Sequence, residues 1–437
     1  MSRPDKPNPG LVKGWCPGAR RPMATGDGLL VRLRITAGIV SADLAGEIAD
    51  LSRRFGNELI DLSQRANLQI RGVEPQNLDE LLGHLDRLGL LDPSAEAEAV
   101  RNIVPSPLAG LDPSAAIDGR TLARALEARL AGDPTLHALP GKFGFVVDEG
   151  GRLSLDDVAV DVKLSGIGTA EGPRVLVAIA TRPAHWQAIA LVTPEEAPDR
   201  AADLARAVVK LRAALPDAPR RMHEIVARTG IAALFRASGF GEISAEVASL
   251  RPRRSGAEAV LGDHTHEPGG CIGIGAPYGR FTADQLALLG ELAGERAAGE
   301  IRLTPWRTVL IPGVGPEKMP RIRPWIAAAR LVFAADDPRL AVVTCAGSTG
   351  CRNATRDTRA DAEHLAAVAR RLARSGTTLH VSGCEKGCAH PGPAPFTLTA
   401  RGGAYDLVRD GRAWDVPIIS RLTLDEAAAA LADHTLP

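Results

Sequence analysis

The sequence predicts an α+β protein with pseudo-two-fold symmetry, and three observations lead to this prediction. The chain is 437 residues long, which exceeds what one compact core usually holds, so two or more domains are expected. A stretch of sequence recurs further along the chain without a gap. Each copy contains residue patterns typical of strands and of an amphipathic helix.

The composition excludes several classes of protein. Hydrophobic residues make up 45% and charged residues 24%, as in ordinary globular proteins. The formal net charge is zero and aromatic residues are only 3%, which argues against a nucleic-acid partner. The chain starts without an apolar signal core, and no run of about 18 apolar residues occurs, so we expect no membrane association. A cytoplasmic location is therefore expected.

The repeat relates residues 38–73 to residues 279–314 at a constant offset of 241 positions. In each copy a hydroxyl residue, Ser41 or Thr282, precedes Ala-Asp, the pattern of a helix N-cap with an acid in the first turn. The identical pairs are Gly38/Gly279, Ala42/Ala283, Asp43/Asp284, Leu51/Leu292, Leu62/Leu303, Ile70/Ile311, Gly72/Gly313 and Val73/Val314. A duplication implies two related units with a site at their junction. The alternative is chance similarity between two common α/β units.

Each copy is predicted to be a strand–helix–strand unit. The strands before the two helices are Leu29–Ile35 and Ile272–Ala276, and those after them are 68–70 and 309–311. Between the copies, further patterns predict the helices Arg120–Leu130 and Ala201–Leu215 and the strands Phe143–Val147, Arg174–Ile179 and Ala188–Val192. The Arg-rich stretch Arg251–Ser255 is predicted to be a linker.

Four of the six cysteines form two close pairs near the end of the chain. Cys345 and Cys351 are separated by five residues, and Cys384 and Cys388 by three. A predicted strand, Ala341–Thr344, delivers the first pair. A predicted helix, Ala360–Arg374, and a strand, Thr377–Val381, then return the chain to the second pair. We therefore expect all four thiols to meet at one site.

This spacing favours an iron–sulfur cluster. A [4Fe–4S] cluster needs four thiolates and small residues whose N–H groups can approach the sulfurs, as Gly347, Gly350, Gly383 and Gly387 would allow. Zinc is the main alternative, although structural zinc sites usually have two to four residues between paired cysteines. Four buried, unligated cysteines are the other alternative. Cys16 and Cys271 have no partner at metal-binding spacing and are interpreted as small apolar residues.

These features together resemble the nitrite and sulfite reductase family, from about Leu29 to Arg409. The segment SQRANLQIRGV is similar to the family's T-x-R-Q-N-x-Q-x-R/H-G motif, and AVRNIV to its second arginine motif. The strand LLVRLR is similar to the one that supplies an anion-binding arginine, matched here to Arg32. The resemblance implies that Cys345, Cys351, Cys384 and Cys388 hold a [4Fe–4S] cluster. It also implies that Cys388 would bridge the cluster to sirohaem iron.

The resemblance further implies the fold and the site residues. The expected fold has duplicated ferredoxin-like half-domains plus two α/β sirohaem-type domains. The expected boundaries are an N-terminal segment 1–25, half-domains 26–90 and 251–330, and α/β domains 91–250 and 331–437. Arg32, Arg101 and Lys142 are assigned to catalysis, and Arg65, Asn67, Gln69 and Arg71 to substrate binding. For each charged residue the alternative is a solvated charge or a structural salt bridge.

One departure from the family pattern concerns the substrate. The family places two lysines in L-P-x-K-F-K to hold a small oxyanion, whereas this chain has Lys142 followed by Gly144. An ion pair near 4 Å is worth at most roughly 4 kcal/mol at an effective dielectric constant of about 20, so its loss weakens oxyanion binding strongly. The sequence therefore argues against sulfite or nitrite as the substrate.

The N-terminal segment indicates a different branch of the family. Cys16-Pro17-Gly18 and the following Pro-Met-x-Thr-Gly-Asp-Gly are similar to the opening of enzymes that make precorrin-3B in aerobic cobalamin biosynthesis. That branch uses O2 to hydroxylate the tetrapyrrole precorrin-3A and forms a lactone. NADH is the ultimate electron source, through an NADH-linked reductase or a ferredoxin. Two other classes stay open: a sirohaem-dependent sulfite or nitrite reductase, and an iron–sulfur electron carrier, which the chain length disfavours.

This branch is also associated with a mononuclear non-haem iron. The stretch 263–267, Asp-His-Thr-His-Glu, is a local cluster of histidine and carboxylate that could supply a facial triad. His390 is a second candidate ligand. The alternative for the stretch is an ordinary polar loop.

Overall fold

The computed structural model describes residues 15–183, 185–250, 260–265, 270–372 and 379–432. None of the helices in this part of the chain is both long and apolar enough to cross a membrane. The described chain forms four five-stranded sheets with helices packed against them. The predicted linker at residues 251–255 lies outside the described residues.

The first sheet gathers strands from two distant parts of the chain. Its strands, in spatial order, are β1 (Met23–Ala24), β2 (Leu29–Leu33), β5 (Leu68–Val73), β4 (Leu59–Leu62) and β13 (Arg280–Thr282). All neighbouring pairs are antiparallel. Helices α1 (Ala42–Phe55) and α2 (Leu78–Arg87) belong to the same half of the molecule. This arrangement has three strands that were not predicted, β1, β4 and β13.

The second sheet repeats the plan of the first. Its strands, in spatial order, are β11 (Gly262–His264), β12 (Cys271–Gly275), β15 (Thr308–Pro312), β14 (Glu300–Leu303) and β3 (Ile39–Ser41). Helices α9 (Ala283–Arg296) and α10 (Met319–Ala328) accompany it. The two halves exchange one strand each: β3 pairs with β14, and β13 pairs with β4.

Backbone conformation follows the duplication closely. Ala37 and Tyr278, which are 241 residues apart, both have a left-handed φ near 50° before the exchanged strand. Ala66 and Arg307 form a second such pair, with φ of 52° and 58°. Left-handed backbone is costly for residues with a Cβ, so its recurrence at matched positions indicates one ancestral unit. Helices α1 and α9 pack together, and both halves contribute to one hydrophobic core.

The predicted N-caps are present in both copies. Ser41 Oγ accepts a hydrogen bond from the N–H of Leu44, and Thr282 Oγ1 accepts one from the N–H of Gln285. The side-chain oxygen of Gln285 in turn accepts a hydrogen bond from the N–H of Thr282, which completes a capping box. These caps begin each helix directly after its exchanged strand, so they also set where the chain turns away from the neighbouring sheet.

The third and fourth sheets share a second common topology. The third sheet orders β6 (Ile103–Pro105), β7 (Phe145–Asp148), β8 (Val162–Thr169), β9 (Gly172–Arg182) and β10 (His185–Val192). The fourth orders β16 (Val342–Thr344), β17 (Leu379–Ser382), β18 (Ala394–Arg401), β19 (Ala404–Gly411) and β20 (Ile419–Leu422). In both, the first three strands are parallel and the last two pairings are antiparallel. The molecule therefore has two pairs of related domains.

Helices accompany both of these sheets. With the third sheet are α3 (Ala95–Val100), α4 (Gly119–Gly132), α5 (Ala197–Ala213), α6 (Met222–Thr229), α7 (Ile231–Ser238) and α8 (Ala245–Ser249), and with the fourth are α11 (Thr358–Leu372) and α12 (Leu424–Ala432). The crossover helices α4 and α11 each follow the first strand of their sheet, as parallel pairing requires. The predicted helices and strands lie within these elements or overlap them, with ends shifted by a few residues. The numbered domain boundaries stay predictions.

Candidate cluster and anion site

The four predicted cluster cysteines lie beyond the carboxyl ends of two parallel strands. Cys345 follows β16 directly, and Cys384 follows β17 after one intervening glycine, Gly383. The sulfur of Cys345 accepts a hydrogen bond from the N–H of Gly383 across 3.3 Å and lies 3.6 Å from the hydroxyl oxygen of Thr358. Parallel pairing of β16 with β17 brings the two cysteine loops to one edge of the sheet.

Two glycines in these loops have no room for a side chain. A Cβ on Gly383 would lie 2.5 Å from the Ala354 Cβ and 3.3 Å from the Cys345 sulfur. A Cβ on Gly350 would lie 2.6 Å from Arg71 Nη2. Both distances are below ordinary van der Waals contact. The predicted need for small residues near the sulfurs is therefore met at Gly383, while Gly350 makes room for an arginine.

The donor set fits a multi-iron cluster. Burial raises the pKa of the Cys384 thiol, and the neighbouring Cys345 and Cys351 raise it further, so the thiols stand close enough to interact. Across the described residues, no three His, Cys, Asp or Glu side chains converge as ligands of one metal ion. In a [4Fe–4S] cluster each cysteine binds a different iron, so four thiols on two neighbouring loops suit a cluster. Cys388 is exposed as a residue, while burial raises the pKa of its thiol to about 11.

The candidate ligands for a mononuclear iron are not brought together in the part of the chain that is described. Gly262–His264 forms strand β11, so the expected polar loop is wrong for these residues. Asp263 is hydrogen-bonded to Thr265 and to Arg323. His266 and Glu267 lie outside the described residues. His390 packs edge-on against the buried His380 ring, with centroids 5.7 Å apart, and its Nε2 lies 3.1 Å from the Pro393 carbonyl oxygen.

The first sheet presents a polar face that we define by Arg32, Arg34, Asn67, Gln69 and Arg71. Arg32 on β2 lies opposite Gln69 on β5, and its guanidinium donates two hydrogen bonds to the Gln69 side-chain oxygen. Gln69 and Arg71 are two residues apart, so they lie on one side of β5 about 7 Å apart. The sequence motif that suggested substrate binding therefore occupies one continuous surface.

Arg71 links this polar face to the first cysteine loop. It is 3% exposed and forms ion pairs with Asp27 and Asp61 at 2.7 and 3.0 Å. Its Nη2 also donates to the carbonyl oxygen of Gly350 across 2.9 Å. Most of the hydrogen-bonding capacity of the guanidinium is therefore used within the protein. These contacts favour a positioning role for Arg71 over the predicted substrate-binding role.

Arg101 is similarly engaged. Its Nε lies 2.7 Å from one carboxylate oxygen of Asp92, and its Nη2 donates to the other across 2.8 Å. Its Nη1 lies 3.6 Å from Glu127 and donates to Thr36, and its Nη2 also donates to the Arg34 carbonyl oxygen. The predicted catalytic residue is thus held in a structural network that supports Arg34, and its contacts favour positioning.

Arg65 and Lys142 meet at the position where the family pattern has its second lysine. Arg65 Nη2 donates to the Lys142 carbonyl oxygen across 2.9 Å. Arg65 Nη1 lies 3.5 Å from the place that a Cβ on Gly144 would occupy. The Gly144 N–H donates to the buried carboxylate of Asp161, which also accepts from Arg221. A lysine at position 144 would bring a second positive charge against Arg65. The position of the Arg65 guanidinium is therefore compatible with glycine at 144 and unfavourable for lysine. The Lys142 side chain is exposed.

Sequence reasoning singled out only one member, Arg71, of a second group of arginines and missed the other three. We define the Asp61 arginine group as Arg71, Arg280, Arg307 and Arg359, whose charges all act on Asp61. Burial would raise the pKa of Asp61, but Arg359, Arg280 and Arg71 together lower it to about 2. Four guanidinium groups around one carboxylate, with Asp27 alongside, leave a net positive charge beside the cysteine loops. Only their tertiary convergence reveals this, since Arg280 comes from the other half of the chain.

Comparisons with known proteins agree with this architecture. Residues 21–88 and 264–328 match the ferredoxin-like half domain of nitrite and sulfite reductases, and residues 96–239 match the nitrite and sulphite reductase 4Fe-4S domain. A precorrin-3B synthase from Sinorhizobium sp. is 30% identical over 412 residues, which cover 93% of this chain and 85% of that protein. The chain belongs to the nitrite and sulfite reductase family.

Other relatives of the family support the assignment. A ferredoxin–nitrite reductase from Synechococcus elongatus is 29% identical, over 86% of this chain and 77% of its own length. A ferredoxin-dependent sulfite reductase of Mycolicibacterium paratuberculosis is 24% identical, over 89% of this chain and 71% of its own length. The NirA protein of Mycobacterium tuberculosis has the same fold, with a TM-score of 0.70, 20% identity and coverage of 92% of this chain and 79% of that one. One half-domain model matches the chain twice, which confirms the predicted duplication.

The domain that matches the 4Fe-4S family model, residues 96–239, contains no cysteine. It has two loops at the positions that correspond to the cysteine loops of the fourth sheet. The strand registers relate Ser106, Asp112, Gly150 and Ser154 to Cys345, Cys351, Cys384 and Cys388, with the same spacing in sequence within each pair. The N–H of Glu149 donates to the Ser106 hydroxyl across 2.9 Å, as that of Gly383 does to the Cys345 sulfur. The cysteines therefore occupy only the second of two related loop systems.

Proposed function

We propose that this chain is a precorrin-3B synthase, a monooxygenase that hydroxylates the precorrin-3A macrocycle and forms a lactone in aerobic cobalamin biosynthesis. The observation that carries the proposal is the position of the Arg65 guanidinium beside Gly144, 3.5 Å from where a Cβ at that residue would lie. The second lysine of an oxyanion site is replaced by glycine, and an arginine guanidinium fills the adjacent space. The 30% identity to a precorrin-3B synthase over most of both chains supports the same reading.

The two cationic surfaces suit a polycarboxylate substrate. Precorrin-3A is a modified tetrapyrrole with several acetate and propionate arms, and guanidinium groups bind carboxylates through paired hydrogen bonds. Arg32, Arg65 and Lys142 would meet carboxylates at one end of the polar face. Arg307 and Arg359 of the Asp61 arginine group would meet them near the cysteine loops. Asn67 and Gln69 are both more than nine-tenths buried. Gln69 would set the orientation of Arg32, and both residues would fix strand β5 between the two cationic surfaces.

Cys345, Cys351, Cys384 and Cys388 would hold the [4Fe–4S] cluster of this family. When bound, the cluster supplies single electrons. The Gly383 N–H at the Cys345 sulfur would stabilise negative charge there and so affect the reduction potential. The overall reaction takes O2, two electrons and two protons: one oxygen atom enters the macrocycle as a hydroxyl, and the other leaves as water. The electrons would come from an NADH-linked reductase or a ferredoxin.

A sirohaem-dependent nitrite or sulfite reductase is the second candidate. The specific observation in its favour is Cys388, which is present and exposed at the position that bridges to sirohaem in the reductases. Visible spectra of the purified protein separate the two candidates. Bound sirohaem gives strong bands in the red region, whereas a cluster alone gives a broad shoulder near the violet.

Incubation with precorrin-3A, a reductant and 18O2, followed by mass spectrometry, tests the proposal. We expect one 18O atom in the product. An unlabelled product, or unchanged precorrin-3A with a fully loaded cluster and a competent electron donor, would overturn it. Reduction of sulfite or nitrite by protein with red-region bands would establish the second candidate instead.

A further inference from the structure

The opening motif of the chain, residues 16–28, indicated a branch of the family, but its sequence assigned no role to these residues. In the structure the motif runs along the edge of the first sheet. The Arg32 N–H donates to the Gly18 carbonyl oxygen across 3.2 Å, and β1 then pairs with the start of β2. The turn after β1, Thr25–Gly28, carries the motif to the loop of the first two cluster cysteines.

Gly26 in this turn lies directly against the backbone of a cluster ligand. A Cβ on Gly26 would lie 2.8 Å from the Cys351 nitrogen and 3.1 Å from the Arg352 nitrogen, which leaves no room for a side chain. The φ of Gly26 is not left-handed, so the close approach and not the backbone conformation requires glycine here. The Gly26 N–H also donates to the Gly350 carbonyl oxygen across 3.4 Å.

Asp27, the next residue, accepts hydrogen bonds from three side chains. The Arg71 guanidinium donates two of them, at 2.9 and 2.7 Å. The Thr25 hydroxyl donates across 2.7 Å, and the Asn57 side-chain nitrogen across 3.1 Å. The side chains of Asp27 and Arg71 are 8% and 3% exposed, so this ion pair is shielded from solvent. Its charges therefore act strongly on neighbouring groups.

Gly26 and Asp27 both act on one peptide unit of the cysteine loop. The Gly350 carbonyl oxygen accepts from the Gly26 N–H and from Arg71 Nη2. Arg71 is in turn held by Asp27. A peptide unit is planar, so two donors on this carbonyl also fix the direction of the Cys351 N–H in the same unit. The direction of N–H groups and the nearby charge both affect the reduction potential of an iron–sulfur cluster.

We propose that Gly26 and Asp27 are positioning residues for the cluster ligand Cys351, and that Asp27 also lowers the reduction potential of the cluster. Gly26 lets the opening motif approach the loop and supports the backbone at the ligand. Asp27 offsets the positive charge of Arg71, which would otherwise favour the reduced cluster with its additional electron. The inference rests on the cluster assignment in the proposed function and is independent of the substrate.

A redox titration of the cluster-loaded protein, monitored by electron paramagnetic resonance, tests the role of Asp27. Asp27→Asn keeps the size of the side chain and removes its charge. We expect the reduction potential to rise by about 59 mV, which equals a tenfold change in the equilibrium constant for one electron. Asp27→Glu restores the charge and should shift the potential less. An unchanged potential in Asp27→Asn, or equal shifts in the two variants, would overturn the inference.

Glu300→Gln is the matched control for Asp27→Asn. It also removes a carboxylate from a buried arginine, Arg302, but in the other half of the molecule. Arg302 donates to the carbonyl oxygen of Ala109, in a loop without cysteine. Glu300→Gln should therefore leave the reduction potential unchanged, and a rise equal to that of Asp27→Asn would overturn the inference.

Gly26→Ala tests the close contact independently. Its methyl group must push the cysteine loop away from the turn, so we expect a chelator to remove iron about tenfold faster than from the unchanged protein. Gly168→Ala in β8 is the control, since its Cβ would meet nothing within 4 Å. Equal rates of iron loss from Gly26→Ala and the unchanged protein would overturn its positioning role. If Gly26→Ala fails to fold, as judged by circular dichroism, the potential of Asp27→Asn decides.

The same measurements separate this inference from the cluster assignment. Purified unchanged protein that takes up no cluster would overturn both. Full cluster content with equal potentials in Asp27→Asn and the unchanged protein would overturn this inference alone. Neither measurement needs turnover, so a negative result with precorrin-3A and 18O2 leaves both tests valid.

Discussion

The guanidinium of Arg71 donates to the carbonyl oxygen of Gly350 across 2.9 Å, and this hydrogen bond joins a strand of the first half-domain to the loop of the first two cluster cysteines. The two residues are 279 positions apart in the chain. Asp27 and Asp61 hold the same guanidinium from its other sides. Arg71 therefore connects the polar face to the cysteine site. We expect a substitution at Arg71 to alter how the cysteine loop holds the cluster.

Replacement of Arg71 tests this linkage. Arg71→Ala removes the ion-pair partner of the buried Asp27, while Asp61 keeps Arg280 and Arg359. The variant should lower the free energy of unfolding by about 3 kcal/mol, measured by urea denaturation. The released Gly350 loop should also lose iron faster during incubation with a chelator. Arg53→Ala is the control, since Arg53 forms only surface pairs with Asp50 and Asp284 and should change stability by less than about 1 kcal/mol. Iron retention equal to that of the unchanged protein would contradict the linkage.

Substitution of Gly383 tests whether the loop around Cys345 and Cys384 holds the cluster. Gly383→Ala places a methyl group 2.5 Å from the Ala354 Cβ and close to the Cys345 sulfur, so the loop must shift and the N–H···S hydrogen bond should weaken. We expect a lower yield of cluster per chain, measured as iron and acid-labile sulfide. Gly46→Ala in α1 is a matched control, because its Cβ would meet nothing within 4 Å, and it should leave cluster content unchanged. Full cluster content in Gly383→Ala would contradict the assignment of the Gly383 loop to cluster binding.

Arg65 and Arg101 should respond differently to substitution. Arg65→Ala removes a guanidinium with an unpaired nitrogen at the proposed substrate site, so KM for precorrin-3A should rise by about tenfold or more with little change in stability. Arg101→Ala strips Asp92 and Glu127 of their partner and should mainly lower the free energy of unfolding, by about 2 kcal/mol or more. Turnover and thermal denaturation of both variants separate these effects. An unchanged KM in Arg65→Ala would remove Arg65 from the substrate site.

Glu149, in the cysteine-free counterpart of the cluster site, makes stability depend on pH. Burial raises the pKa of this 2% exposed carboxyl to about 8, with Asp112 and Asp148 adding to the effect. The folded state thus holds a proton that the unfolded state releases near pH 4.5, so stability falls as pH rises from about 4.5 to 8. Glu149→Gln should therefore raise the free energy of unfolding at pH 9 by on the order of 3 kcal/mol and change it little at pH 5. Equal stabilisation at both pH values would contradict this assignment.

Local and periodic signals allowed much of the fold to be predicted. Apolar periodicity and the capping residues Ser41 and Thr282 are sufficient to predict helices α1 and α9, because a helix depends on contacts within a few residues. The spacing of the four cysteines likewise predicts their meeting, because each pair follows a strand of one parallel sheet. The exchange of β3 and β13 between the halves could not be predicted, since strand pairing joins residues about 220 to 260 positions apart and leaves no local pattern.

The roles of the charged residues likewise depend partly on local sequence and partly on tertiary structure. The sequence by itself determined the duplication, the cysteine set, the arginine motif of β5 and the missing lysine at Gly144, since each depends on residue type and spacing. Tertiary structure decided which arginines are engaged and which have free hydrogen-bonding capacity. Arg71 is paired with Asp27 and Asp61, and Arg101 with Asp92, whereas Arg34 Nε and Arg65 Nη1 are buried without an acceptor among the described residues. The physical reason is that the strength of an ion pair or hydrogen bond depends on distance and burial in three dimensions, which one-dimensional spacing does not specify.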